Sequence, residues 1–172
     1  TYKLITPDLA YVMRAKPGPV AKLLPSAHAI EREFAVMRGL EGTDVPVARM
    51  HCLCEDEDVI GRAFYVMEFV EGRVLWDQAL PDMSPDQRAD IYDELGRVIA
   101  ALHKVDFAAR GLAGYGKPGN YFERQIGRWS KQYVASITQP IEAMDRLIEW
   151  LPTRIPEAAK DARAVSIVHG DY

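Results

Sequence analysis

Cysteine is scarce in this chain: its 172 residues hold two, Cys52 and Cys54. They lie two positions apart in a strand-like stretch, on one face of one strand, where they cannot staple distant segments together. They read as reduced thiols. No second cysteine pair accompanies them, and His28, His51, His103 and His169 are scattered, so the spacing of a zinc framework is missing. Long apolar runs are missing too. None approaches the ~20 residues of a membrane helix, and the first residues lack a charged-then-apolar signal pattern. No membrane span is expected, and the setting reads as cytoplasmic or an organelle interior rather than secreted. Positive charge is not in excess. A net charge of -4 with mixed signs offers no basic stripe for nucleic-acid phosphates, so nucleic acid is not an expected partner. Internal repeats and low-complexity tracts are likewise lacking. What is present is enough apolar and charged residue, 48% and 27%, for one packed domain or two small lobes.

Tyr2 to Thr6 and Leu9 to Arg14 are short β-forming runs parted by Pro7-Asp8, which predicts a hairpin. In its second strand Tyr11, Met13 and Ala15 share one face, and Val12, Arg14 and Lys16 the other. Arg14 either lies against apolar surface beside Val12 or stands solvated at a strand end. Ser26 is placed to cap a helix that carries Ile30, Phe34, Met37 and Leu40 and closes at Gly42. At ~100° per residue, Glu33 falls inside the arc of those apolar residues and Glu31 outside it. A carboxylate on the buried side needs a partner, and Arg14 is the natural candidate. The other reading leaves Glu33 at the edge of the stripe, reaching water. Val45-Pro46-Val47 leads into a strand-like stretch to Leu53, an acidic turn from Glu55 to Asp58, and a buried strand from Ala63 to Phe69.

Gly72 marks a change of character: residues 1–72 are mostly strands with one helix, and residues 73–172 mainly helical. Ser84-Pro85-Asp86-Gln87 has capping-box form and opens a core helix with Ile91, Leu95, Val98 and Leu102. His103 reads as a capping or packing residue. A glycine-rich connection, Gly111 to Gly119, precedes a stripe of Phe122, Ile126, Trp129 and Tyr133. Arg124, Arg128 and Lys131 on its other faces form a solvated surface or a grip on an anionic substrate. Pro140 opens a further helix with Ile141, Met144, Ile148 and Leu151, which Pro152 stops, and Glu157 to Arg163 is polar linker. The chain closes on Ser166-Ile167-Val168-His169-Gly170-Asp171. This reads as a buried strand delivering a carboxylate into a turn, the place where kinase-type enzymes keep the acid that receives a hydroxyl proton. A plain strand-to-turn is the other reading.

In that order the segments resemble the protein-kinase-like fold, and the wording of the motifs is similar to the aminoglycoside phosphotransferase family. The residues concerned are Tyr11-Val12-Met13-Arg14, Ile30-Glu31-Arg32-Glu33, Val45-Pro46-Val47, Tyr65 to Gly72, Leu102-His103 and Val168-His169-Gly170-Asp171. Leu24-Pro25-Ser26-Ala27-His28, Gly119-Asn120-Tyr121-Phe122 and Arg128 to Tyr133 look like the branch whose kinase domain also occurs fused to acyl-CoA dehydrogenases. The resemblance implies an α+β, two-lobed fold, with an antiparallel sheet plus one helix in the N-lobe (1–72) and a mainly helical C-lobe (73–172), incomplete at both ends. It implies that Arg14 stands where the strand lysine touches ATP phosphates, with Glu33 as its helix partner. Met67 would lie beside the adenine, with the backbone of Glu68 and Val70 bonding its edge. Asp171 would be the catalytic acid and His169 the residue that holds its loop, while Arg124 and Arg128 are candidates for gripping substrate.

The implied activity is transfer of a phosphoryl group from ATP to a hydroxyl, with a hydroxyacyl-CoA or other hydroxy metabolite as acceptor. Fusion or association with an acyl-CoA dehydrogenase is implied as well. Arginine in place of lysine keeps the charge but changes the geometry. The asparagine and aspartate that hold Mg2+ are expected beyond Asp171, the first of them about five residues on. No metal ligand is therefore expected within the chain, and the segment alone is expected to be inactive. A non-catalytic nucleotide-binding or interaction module with a kinase-like fold is the alternative.

Overall fold

The structure is a computed structural model and describes residues 1–17, 29–117, 119–161 and 165–171. The hairpin forms where the turn residues place it. Strands β1 (Tyr2–Ile5) and β2 (Ala10–Ala15) pair antiparallel, with Tyr2 opposite Met13 and Ile5 opposite Ala10. Thr6 closes the loop over Pro7-Asp8: its hydroxyl donates to the Leu9 carbonyl at 2.9 Å and accepts from the Leu9 amide at 3.0 Å.

Strands β3 (Met50–Cys54) and β4 (Phe64–Glu68) complete a sheet of order β1-β2-β4-β3, antiparallel at every pairing. Partners directly opposite one another in such a ladder share a face. Val12 and Arg14 therefore face the same side as Met67 and Tyr65. The β3–β4 register shifts between Met50 and Cys52, the mark of a bulge. Its effect is that Met50 and Leu53, an odd number of residues apart, both face inward opposite Met67 and Tyr65. Cys52 and Cys54 share the other face, and both thiols are free.

Helix α1 (Ile30–Leu40) packs its apolar stripe on the inward face of the sheet. Ile30, Met50 and Tyr65, each at most 2% exposed, form the centre of the core, with Phe34, Met37, Leu53 and Met67 around them. Gly42 closes the helix at φ 70°, in the left-handed region that suits glycine. The proposed cap, Ser26, lies outside the described residues. The position before the helix is Ala29, which makes no side-chain cap.

Helix α2 (Pro85–Lys104) opens on the expected capping box: the Gln87 amide donates to Ser84 Oγ at 3.2 Å, and the Ser84 amide to Gln87 Oε1 at 2.9 Å. Helices α3 (Tyr121–Ser136) and α4 (Glu142–Trp150) follow the two later stripes. Pro152 sits in a short 3-10 helix, Leu151–Arg154, and the expected polar linker forms another, Glu157–Lys160.

The chain gathers into two compact units, Thr1–Tyr115 with Ser166–Tyr172, and Gly116–Val165. Burial departs from expectation in the helices. The α2 stripe is buried at Leu102, but Leu95 is 43% exposed, and no described residue of α3 or α4 is buried. The terminal strand expected from Ser166 to Val168 does not form, since β-propensity makes a strand only where an open ladder meets it. Ser166 and Ile167 are half-buried in irregular backbone and Val168 is exposed. Among the described residues, no helix is long and apolar enough to cross a membrane.

Candidate active site

Register fixes the first half of the site. Arg14 lies opposite Tyr65 within the β2–β4 ladder, one residue before the end of β2, on the face that α1 covers. Glu33, in the first turn of α1, points to the same face. Arg14 Nε lies 2.6 Å from Glu33 Oε2, and its Nη2 donates to Oε1 at 3.0 Å. This two-pronged pair fixes the plane of the guanidinium as well as its position. Glu31, outside the apolar arc, instead faces Lys16 at 3.7 Å.

Tyr65 is the residue that sequence reasoning missed. Its hydroxyl donates to Glu33 Oε2 at 3.2 Å from a side chain that is 2% exposed. Burial, and then the negative charge of Glu33, push its ionisation up to about 12, against the opposing pull of Arg14. Three hydrogen-bonding contacts thus converge on one carboxylate. A signal was present in the alternation of Tyr65 with Met67 on the inward face of a strand opposite Arg14.

The pair is held without being sealed. The Arg14 side chain keeps 37% of its exposure, and the residue lines a recess of about 270 Å³ together with Lys16 and Arg62. A steered, partly open guanidinium beside further cations can receive an anion such as a phosphate.

The end of β4 and the residues after it carry the positions expected at a nucleotide edge. Met67 packs its side chain against the core, and Val70 lies past the end of the ladder and is exposed. The Glu68 amide is already taken, donating to the Arg49 carbonyl at 2.8 Å, and Glu68 Oε2 accepts from the Arg49 amide at 3.2 Å. Val70 lies two residues beyond the end of β4, outside the sheet.

His169 and Asp171 are exposed and flank Gly170, whose φ of 86° needs glycine. Both belong to the unit that holds Arg14 and Glu33, but Asp171 is not among the groups touching that pair. Arg124 and Arg128 belong to the other unit. There Arg124 donates to the carbonyls of Gly119 and Lys117, and the Arg128 guanidinium lies 5.6 Å from the Trp129 ring centre. Among the described residues no group of three His, Cys, Asp or Glu side chains could hold a metal ion.

Comparison with known proteins bears on the family of the chain. The family model of the phosphotransferase enzyme family (APH) matches residues 1–172. A crystal structure from Ralstonia eutropha, described as a "putative aminoglycoside phosphotransferase", superposes with a TM-score of 0.88 at 64% identity, over 99% of this chain and 48% of that one. "Probable acyl-CoA dehydrogenase IBR3" of Arabidopsis thaliana is 47% identical over 167 residues, 94% of this chain and 20% of that protein. Acyl-CoA dehydrogenase family member 10 of Mus musculus is 43% identical over 172 residues, 100% of this chain and 16% of that protein. The chain thus spans a fifth or less of these two curated relatives. With its four-stranded antiparallel sheet, its helices and a motif match along its whole length, the chain belongs to the phosphotransferase enzyme family.

Proposed function

We propose that the full-length protein is an ATP-dependent phosphotransferase acting on a hydroxyl of a small metabolite, with this chain contributing the phosphate-steering cation and the catalytic carboxylate. The observation that carries this reading is the two-pronged Arg14–Glu33 pair, buttressed by Tyr65 and open to the recess. Arg14 binds the triphosphate, and the Val70 amide and Glu68 carbonyl take the adenine edge past Met67, in a cleft between lobes that meet near Gly72. Asp171 orients the acceptor hydroxyl and takes its proton as the oxygen bonds to the γ-phosphorus. The bond to the bridging oxygen breaks and ADP leaves with that electron pair. His169 holds the turn that carries Asp171. Such a site works by position and charge, because the phosphoryl group passes through a loose transition state.

Mg2+ would supply charge neutralisation, but the described residues gather no donor set for it, and no step above depends on one. The names of the relatives support a hydroxyacyl-CoA or related hydroxy acid as acceptor, and fusion or association with an acyl-CoA dehydrogenase. Arg124 and Arg128 remain candidates for an anionic acceptor.

The test is phosphate transfer from ATP by the full-length protein to a panel of hydroxy compounds. Asp171→Asn should abolish transfer while MgATP binding survives. Retained turnover refutes the role of Asp171. A second reading, a nucleotide-binding module without catalysis, is favoured by arginine at the position of the strand lysine. Calorimetric binding of MgATP with no transfer to any compound would support it.

A further inference from the structure

A strap crosses the outer side of α1 near its two ends. Residues Asp106 to Tyr115 fold on themselves through short-range hydrogen bonds: the Leu112 amide donates to the Phe107 carbonyl at 2.8 Å, the Tyr115 amide to Leu112 at 2.9 Å, and the Ala109 amide to Asp106 Oδ1 at 3.0 Å. This small segment meets the helix at three levels. Near the first turn, Arg32 Nη2 donates to the Tyr115 carbonyl at 2.8 Å, and its guanidinium carbon stands 4.2 Å from the centre of the Tyr115 ring. Near the last turn, Gly39 lies so close to the strap that a β-carbon there would come within 2.8 Å of Leu112 Cδ1 and 3.2 Å of the Arg110 carbonyl. Leu112 is itself 5% exposed and has little room to yield. Beyond the helix end, the Arg110 guanidinium donates to the carbonyls of Glu41 and Gly42 at 3.2 and 3.3 Å.

At ~100° per residue, Arg32 and Gly39 fall on the side of α1 opposite Ile30, Phe34 and Met37. The helix is held against the sheet on one side and touched by the strap near its first and last turns on the other. Glu33 is carried on that helix, and its reach to Arg14 depends on where the helix lies.

We propose that residues 106–115 are a positioning strap that sets the height of α1 over the sheet, so that Gly39 and Arg110 act on the Arg14 guanidinium through Glu33. The inference rests on the reading of Arg14 as a phosphate-binding cation. Gly39 is the residue of closest approach, and any side chain there must lift the helix or displace a buried leucine.

The test uses the full-length protein with Gly39→Val and Arg110→Ala. Two quantities are read: MgATP affinity by calorimetry, and the ionisation of Tyr65 from tyrosinate absorbance after a rapid pH jump, each variant differenced against the same variant carrying Tyr65→Phe. The strap predicts that Gly39→Val brings the Tyr65 ionisation down from about 12 towards 10 and weakens MgATP binding about tenfold, through a misplaced partner of the binding cation. Arg110→Ala should do both to a smaller extent, and it is the variant to read if Gly39→Val does not fold. A folded variant in which either quantity is unmoved overturns the inference while leaving the nucleotide reading intact. If the unaltered protein binds no MgATP, the nucleotide reading fails and the inference fails with it.

Discussion

One carboxylate organises the site at the scale of single residues. Glu33 accepts from Arg14 twice and from Tyr65 once, so removing any member leaves the others without part of their partner set. The pair is partly exposed, and its contribution to stability is that of a well-formed surface ion pair. Glu33→Gln should therefore lower stability by about 1 kcal/mol, seen as a lower denaturant midpoint at constant slope. Its effect on MgATP binding should exceed its effect on folding. Tyr65 gives a pH signature. Its folded ionisation, at about 12, lies above the ordinary 10.0. The resulting stabilisation is complete below pH 10 and is lost as pH rises through 12, the sign for an acid kept neutral by folding. Spectrophotometric titration should show one tyrosine ionising late, and Tyr65→Phe should remove that step.

The Arg14–Glu33 partnership was legible in the sequence because two periodicities agreed: strand alternation put Arg14 beside Val12, and helical angle put Glu33 but not Glu31 in the apolar arc. By local pattern Tyr65 is only one residue of a buried strand. Its polar tip gains meaning from the register opposite Arg14, which no local pattern carries.

Local chemistry decides the elements where it is strong. The Ser84 capping box forms as its sequence predicts, and Ser84→Ala should cost about 1 kcal/mol, read from the thermal or denaturant midpoint. The Thr6 hydroxyl closes the first hairpin in the same way. Where elements depend on distant partners, the sequence is a poorer guide. The run Ser166-Ile167-Val168 has strand composition but meets no open ladder and stays irregular. The β3 bulge was invisible because it answers to the spacing of Met50 and Leu53 against β4. The strap over α1 was equally hidden, since Gly111 to Gly119 read only as a glycine-rich connection. The glycine that matters most there, Gly39, lies inside a helix and is explained only by Leu112 approaching it.

At the scale of the whole chain, burial is uneven. Among the described residues the buried cluster lies between the sheet and α1, while Phe122 and Trp129 on α3 and Leu147 and Trp150 on α4 stay at 40% exposure or more. A polypeptide of these 172 residues should therefore bind a hydrophobic dye strongly; negligible dye binding would show those faces to be covered. The family match runs over the whole chain, which spans a fifth or less of the two acyl-CoA dehydrogenase relatives. The central claim is that Arg14 and Glu33 act as one unit on a nucleotide triphosphate. The direct measurement is a calorimetric double-mutant cycle for MgATP binding with Arg14→Met and Glu33→Gln in the full-length protein. Each change should weaken binding about tenfold or more, with the double variant no worse than the worse single one. Single variants that bind as tightly as the unaltered protein, or effects that multiply in the double variant, would contradict it.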